Sequence, residues 1–135
     1  MVIQLAQVRA FQKAFDQTLN DCPTLIEAKD SNLRQSLAEE ELREYGTAAH
    51  AGDLTEVLDS LVDQAYVLLG TVNAHGLQDL FLKAFDLVHA NNMSKLDENG
   101  KVLKNEHGKV IKPKGFTPVD LRPLFSTDAI YRMDI

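Results

Sequence analysis

Cysteine is nearly missing from this chain: Cys22 is the single one, so no internal disulfide framework and no cysteine metal cluster can form. No apolar run approaches the roughly 20 residues that span a bilayer. The N-terminal "MVIQLAQVRAFQKAF" alternates apolar and polar residues at helical spacing, without the basic-then-apolar layout of a signal peptide. We therefore expect a soluble, cytoplasmic protein with no membrane partner. No P-loop is present, and no strained G-x-S-x-G turn supports serine–histidine catalysis. Phosphate recognition, if there is any, must come from a metal and lysines.

What is present is ordinary globular material: 135 residues, 44% hydrophobic and 25% charged, enough for one domain with one core. The net charge of −6 is spread unevenly. Residues 1–82 hold 13 acids against 5 bases, and residues 83–135 hold 7 acids against 9 bases. An acidic half argues against duplex nucleic acid as a partner, because such binding needs basic surface. A small anionic ligand stays open if a cation or the lysine-rich end receives it.

Four segments carry helical periodicity. The first covers roughly 3–19, with Ile3, Val8, Phe11 and Phe15 as its stripe. "NDCPTLIEAKDSN" reads as a loop, and Ser31 or Asn32 is the expected cap of a second helix over 32–50. "HAGD" breaks the chain, and Asp53 is a natural N-cap for a third helix over 54–70, near whose end Gly70 lies. Gly76 precedes a fourth helix over 77–93, where Leu77, Leu80, Phe81, Ala84 and Val88 recur at helical spacing. The expected architecture is all-α: an antiparallel four-helix bundle over about 3–95 in a single domain. The near-repeat "ENGKVLK" and "EHGKVIK" predicts a small C-terminal β-hairpin arm, with "KVLK" and "KVIK" joined over "NEHG". A proline-punctuated extended tail completes residues 96–135.

Acids fall where apolar residues belong. In the second helix Leu33 and Leu37 define an inward stripe that Glu40, Glu41 and Glu44 continue, while Glu39 turns away. Unpaired buried carboxylates cost several kcal/mol each, so this end of the helix is compensated or lines a cavity. In the third helix Glu56, Asp59 and Asp63 share a face that Tyr66 and Gly70 extend. Leu54, Leu58, Leu61, Ala65 and Leu68 lie opposite, so a plain solvated face is the competing reading. Together the two clusters say more, since antiparallel neighbours would bring them face to face. Carboxylates at that density repel unless a hard divalent cation sits among them, and Mg²⁺ prefers such oxygens while bridging to phosphates.

With those residues in place, the chain resembles the MazG-like all-α nucleoside triphosphate pyrophosphatases. "EELRE" (40–44) fits their EExxE element, and "EVLD" (56–59) their ExxD element. "DSLVDQAYVLLG" (59–70), "FDLVHANNMSK" (85–95) and "GKVIKPKGFTPVDL" (108–121) look like elements of the integron and phage branch. Phosphoribosyl-ATP pyrophosphohydrolases and dimeric dUTPases are more distant relatives. The resemblance implies Mg²⁺-dependent (Mn²⁺ as substitute) hydrolysis of a (d)NTP to the monophosphate and pyrophosphate, as nucleotide-pool house-cleaning. It carries Glu41, Glu44, Glu56 and Asp59 over as metal ligands. Asp63 stays beside them, because other branches place their key aspartate there. Glu40 is the extra acid, cast as the base that deprotonates the attacking water.

Asn92 and Lys95 fall on the face of the fourth helix that carries Phe81, Phe85 and Val88, and are candidates for substrate binding against a frayed, solvated helix end. Lys112 and Lys114 beside "GFTP" are candidates for closing over the triphosphate, while Lys101, Lys104 and Lys109 read as edge-blunting lysines. Tyr66 either stacks on a base or packs at a dimer interface. His89, on a neighbouring line, reads as a packed or half-exposed residue, with contact to substrate as the lesser alternative, and His107 and Cys22 carry no signal that calls for a role. The apolar surfaces of helices three and four, with Phe81 and Phe85, point to a homodimer or a dimer of dimers. Two other readings stay open: a non-catalytic helical module offering an acidic face, and the same chemistry on dUTP or phosphoribosyl-ATP.

Overall fold

The computed structural model describes residues 1–125; the expected tail beyond them lies outside the described residues. Among these, four α-helices form and no strand does: α1 (Val2–Ala14), α2 (Ala28–Ala51), α3 (Leu54–Ala74) and α4 (Gln78–Met93), followed by one 3₁₀ turn at Arg122–Phe125. No helix among them is long and apolar enough to cross a membrane. The chain divides into two compact units, Met1–Gln78 and the residues from Asp79 on.

In the first unit α3 is the central element, packed against both α1 and α2. Helix α1 buries Leu5, Val8 and Gln12, one line at spacings of three and four. It ends sooner than the periodicity of residues 3–19 predicts. Asp16 takes a left-handed conformation (φ 52°), which aspartate tolerates better than most residues. Gln17 N–H then closes back on Gln12 C=O at 2.8 Å, the end-sealing bond of a Schellman turn. Helix α2 starts at Ala28 behind Glu27 rather than at Ser31 or Asn32. The Ser31 hydroxyl donates to Ala28 C=O at 3.1 Å, so it is spent inside the first turn instead of capping it. Asp53 does cap α3, accepting from Thr55 N–H at 3.0 Å and Glu56 N–H at 3.1 Å.

The loop between α1 and α2 is tied to the end of α3. Asn20 Nδ2 donates to Ala74 C=O at 2.7 Å, and Thr24 N–H donates to His75 C=O at 2.8 Å. Gly76 makes this possible: its φ is 66°, and a Cβ there would stand 2.0 Å from Cys22 O. Only glycine admits both the left-handed backbone and the close approach.

Which faces are buried differs from the periodicity. Ile3 and Phe15 are exposed on α1, and Leu33 is exposed on α2. On α3 the expected apolar face points outward, with Leu54 at 80% and Leu58 at 64% exposure. Its buried positions are Ser60, Leu69, Gly70, Val72, Asn73 and Ala74. Of the acids on α3 only Asp63 is partly buried, while Glu56 and Asp59 are exposed. Periodicity locates an apolar arc, but it does not say what covers that arc.

In the second unit α4 buries no residue fully. The expected hairpin is reduced to a single antiparallel bridge, Lys104–Val110, so the strands "KVLK" and "KVIK" do not form. What the near-repeat encodes is one loop used twice. Asp97 Oδ1 accepts from the N–H of Asn99 at 2.9 Å and of Lys101 at 2.8 Å. Asn105 Oδ1 accepts from the N–H of His107 and of Lys109, both at 3.0 Å. In each copy the glycine N–H returns to the Asx carbonyl, Gly100 to Asp97 at 2.9 Å and Gly108 to Asn105 at 3.0 Å. The repeated polar residues thus serve turns, in which Asx side chains replace strand pairing.

Candidate active site

Helix α2 presents Arg34, Leu37 and Glu41 to the inside of the first unit, and α3 presents Asp63, Tyr66 and Gly70. Each trio follows the three-and-four spacing of one helix face. With α1 they line a cavity of about 300 Å³. The inward line of α2 is thus Arg34–Leu37–Glu41, rotated from the Leu33–Leu37 stripe that the sequence predicts.

Glu41 is the focus of the charge. It is half-buried, and its Oε2 is shut from solvent with no hydrogen-bond partner. Burial pushes its carboxyl above the ordinary carboxylate value, and repulsion from Glu44, Asp63, Glu40 and Asp59 pushes it further. Five of the six predicted metal or catalytic acids are therefore electrostatic neighbours, drawn from two helices. Glu56 is exposed in the first turn of α3 and is not among the charges acting on Glu41. None of these acids is in an ion pair among the described residues. Nor do any three acidic, histidine or cysteine side chains there group closely enough to hold an ion as they stand. Glu40, Glu44 and Asp59 are exposed. The donor set still fits a hard divalent cation, for it is all carboxylate oxygen and one of those oxygens is buried without a partner.

Tyr66 borders the same cavity, its ring edge-on to Phe11 with centroids 5.6 Å apart. Arg34 is the residue that the sequence reading passed over. Its Nε donates to Thr71 Oγ1 at 3.0 Å and its Nη2 to Val67 C=O at 2.6 Å. The space for it is left by Gly70, where a Cβ would lie 2.4 Å from Nη2. The signal was available: Arg34 is two helical turns before Glu41, on the same face, as Gly70 is two turns after Asp63.

The second unit gathers the other candidates. Lys95 Nζ donates to Asn92 Oδ1 at 2.8 Å. Lys95 and Lys112 each stand over the Phe116 ring, 5.9 Å and 5.4 Å from its centroid. Lys114 and Phe116 border a depression of about 510 Å³, braced by Asn91 Nδ2 donating to Thr117 C=O at 2.7 Å. His89 is exposed, and the His107 ring lies 3.3 Å from Glu106.

Against known families, the phosphoribosyl-ATP pyrophosphohydrolase model matches residues 8–92, which span the second half of α1, all of α2 and α3, and nearly all of α4. The chain belongs to that family. It is thereby a member of the MazG-like all-α NTP pyrophosphatase superfamily. A comparison with curated proteins finds no match. As a member of the family the protein is a pyrophosphohydrolase, a hydrolase of phosphoanhydride bonds acting on a nucleoside triphosphate-like substrate. The reading as a non-catalytic module is set aside.

Proposed function

We propose that this pyrophosphohydrolase is Mg²⁺-dependent and converts a (d)NTP to the (d)NMP and pyrophosphate, in the service of nucleotide-pool house-cleaning. The observation that carries the proposal is Glu41: half-buried, without a partner on Oε2, and pressed by four further carboxylates beside a cavity. In this reading Glu41, Glu44, Asp59 and Asp63 hold Mg²⁺, or Mn²⁺ in its place, with Glu56 as the outermost member. A cation bound by them would neutralise the polyphosphate and polarise the scissile bond. Glu40 takes a proton from water, whose oxygen bonds to the α-phosphorus. The bond from that phosphorus to the bridging oxygen breaks, and pyrophosphate leaves with that oxygen. From the second unit Asn92, Lys95, Lys112 and Lys114 are assigned to substrate binding, supported by the lysines held on Phe116. Their cations would offset charge developing on the leaving group.

The exposed leucines of α3 support a homodimer or dimer of dimers in the cytoplasm, since contiguous apolar surface of that kind marks an interface. The matching family model favours phosphoribosyl-ATP as a second substrate reading, whereas the motifs point to the integron and phage branch. A panel of dNTPs with dUTP and phosphoribosyl-ATP, assayed for pyrophosphate with and without Mg²⁺, tests both. Mg²⁺-dependent release from at least one dNTP is expected. No release from any of them would overturn the proposal.

A further inference from the structure

The cavity beside the acids has a far end that the hydrolytic chemistry does not use. Arg34 and Glu41 are seven residues apart on one face of α2, about 10 Å along the axis. Between them the walls are apolar or aromatic, formed by Phe11, Leu37, Val67 and Tyr66. A volume of about 300 Å³ is at the small end of the range for ligand pockets.

The polar groups at this end are mostly committed. Gln12, only 1% exposed, donates through Nε2 to Gly70 C=O at 2.8 Å and accepts on Oε1 from Asn73 Nδ2 at 3.1 Å. Arg34 is committed on one side only. Nε and Nη2 bind Thr71 and Val67, and Nη1 has no hydrogen bond among the described residues. A hydroxyl and a carbonyl need no charged partner, so tying α2 to α3 does not explain an arginine. Half-burial of that cation even lowers its pKa. Among the described residues no carboxylate pairs with it, although acids line the same cavity. It offers donors and no acceptor, held fixed at the reach of a nucleoside measured from its 5′-phosphate to the far edge of its base.

We propose that Arg34 is a specificity-determining residue of this site, its unused guanidinium edge donating to an acceptor on the substrate's base. Bases with a keto oxygen at the purine 6- or pyrimidine 4-position (guanine, thymine, uracil) are then preferred over those with an amino group there (adenine, cytosine). The proposal rests on the reading that the neighbouring acids receive the triphosphate. Gly70 belongs to the same device, because its missing side chain is where the guanidinium lies.

The test is kcat/KM of the full chain for dGTP, dTTP, dUTP, dATP and dCTP, in the wild type, R34Q and G70A. The wild type should favour the keto bases, and R34Q should lower kcat/KM for them on the order of tenfold or more, mainly through KM. The amino bases should change little. G70A, which displaces the guanidinium without deleting it, should flatten the preference in the same direction. An equal loss for all five substrates would mean a phosphate contact or a mere helix tie and would overturn the proposal, as would a wild-type preference for amino bases. Thermal stabilisation by dGMP, dTMP, dAMP and dCMP, without divalent cation, separates this from failure of the hydrolytic reading. The first two should stabilise the wild type more, and a flat response overturns the base-reading role whether or not any dNTP is hydrolysed. That measurement also decides the matter if R34Q does not fold.

Discussion

The two units handle charge in opposite ways. From Asp79 on, several charged and polar groups are answered close by in sequence. Asp97 and Asn105 each close their own loop, Lys95 is taken by Asn92, and Asp120 binds Arg122 Nε and Nη2, both at 2.9 Å. In Met1–Gln78 Glu39 accepts from Gln35 and Asp30 from Thr18, but Glu40, Glu41, Glu44, Asp59 and Asp63 have no such answer among the described residues. They accumulate around Glu41, raise its pKa, and leave one buried oxygen without a partner. Locally satisfied groups build turns, whereas charge held against its own repulsion is where a cation and a polyphosphate have something to gain. The contrast assigns chemistry to the acidic face and structure to most of the polar residues in the loops.

The largest effect should come from removing that unanswered charge. E41Q and D63N should each bring pyrophosphate release to background. E40Q should cost about 10²- to 10⁴-fold in kcat, the usual contribution of a general base. At the same time E41Q should raise the melting temperature measured without divalent cation, because repulsion is relieved. D97A and N105A in the second unit should leave kcat within a few fold. If the loop variants abolished activity and E41Q did not, the contrast would be inverted.

Much of this was legible in residue order, and the misses have physical causes. Asp53 announced its cap and Gly76 its turn, because both act through their immediate neighbours. Of the acid lines expected on α2 and α3 only Glu41 and Asp63 border the cavity, because the inward line of α2 is rotated from the Leu33–Leu37 stripe. The Ser31 cap failed because the hydroxyl had a competing acceptor in its own turn. The outward leucines of α3 failed because an apolar arc is defined by its eventual cover. The hairpin failed because "DENGK" and "NEHGK" are turn formers, whose side chains satisfy the backbone before a strand can. Arg34 was missed because an arginine among acids reads as surface until Gly70 is seen to make room for it.

Next in size is the buried amide pair of the first unit. Asn73 is fully buried, its Nδ2 donating to Leu5 C=O and to Gln12 Oε1, both at 3.1 Å. N73A should destabilise by about 1–3 kcal/mol, since it leaves buried acceptors unmet. N105A removes two hydrogen bonds at exposed positions and should cost at most about 1 kcal/mol. Chemical denaturation of the full chain measures both. A larger loss for N105A would place the stability of the molecule in its loops.

The smallest effects concern pH, and the two units should differ in sign. Glu41 has a raised pKa in the folded state against an ordinary value of 4.5. Above the raised value both states are ionised and the folded state bears the full repulsion. As pH falls through it, the folded protein takes up a proton first. Stability measured without divalent cation should therefore rise toward acid and complete its rise near 4.5. Asp120 runs the other way: hydrogen bonds from Arg122 hold its pKa below the ordinary 3.8. It contributes stability above 3.8 that is lost as pH falls through its depressed value. The pair is fully on the surface, where such contributions are small and screened by salt. Melting temperature against pH should therefore lose its acid-side rise in E41Q and keep it in D120N. D120N should differ from the wild type only in a slight loss that fades with added salt. If the rise survived in E41Q, the raised carboxyl would not be Glu41, and the focus of the acidic face would have to be sought at Asp63 instead.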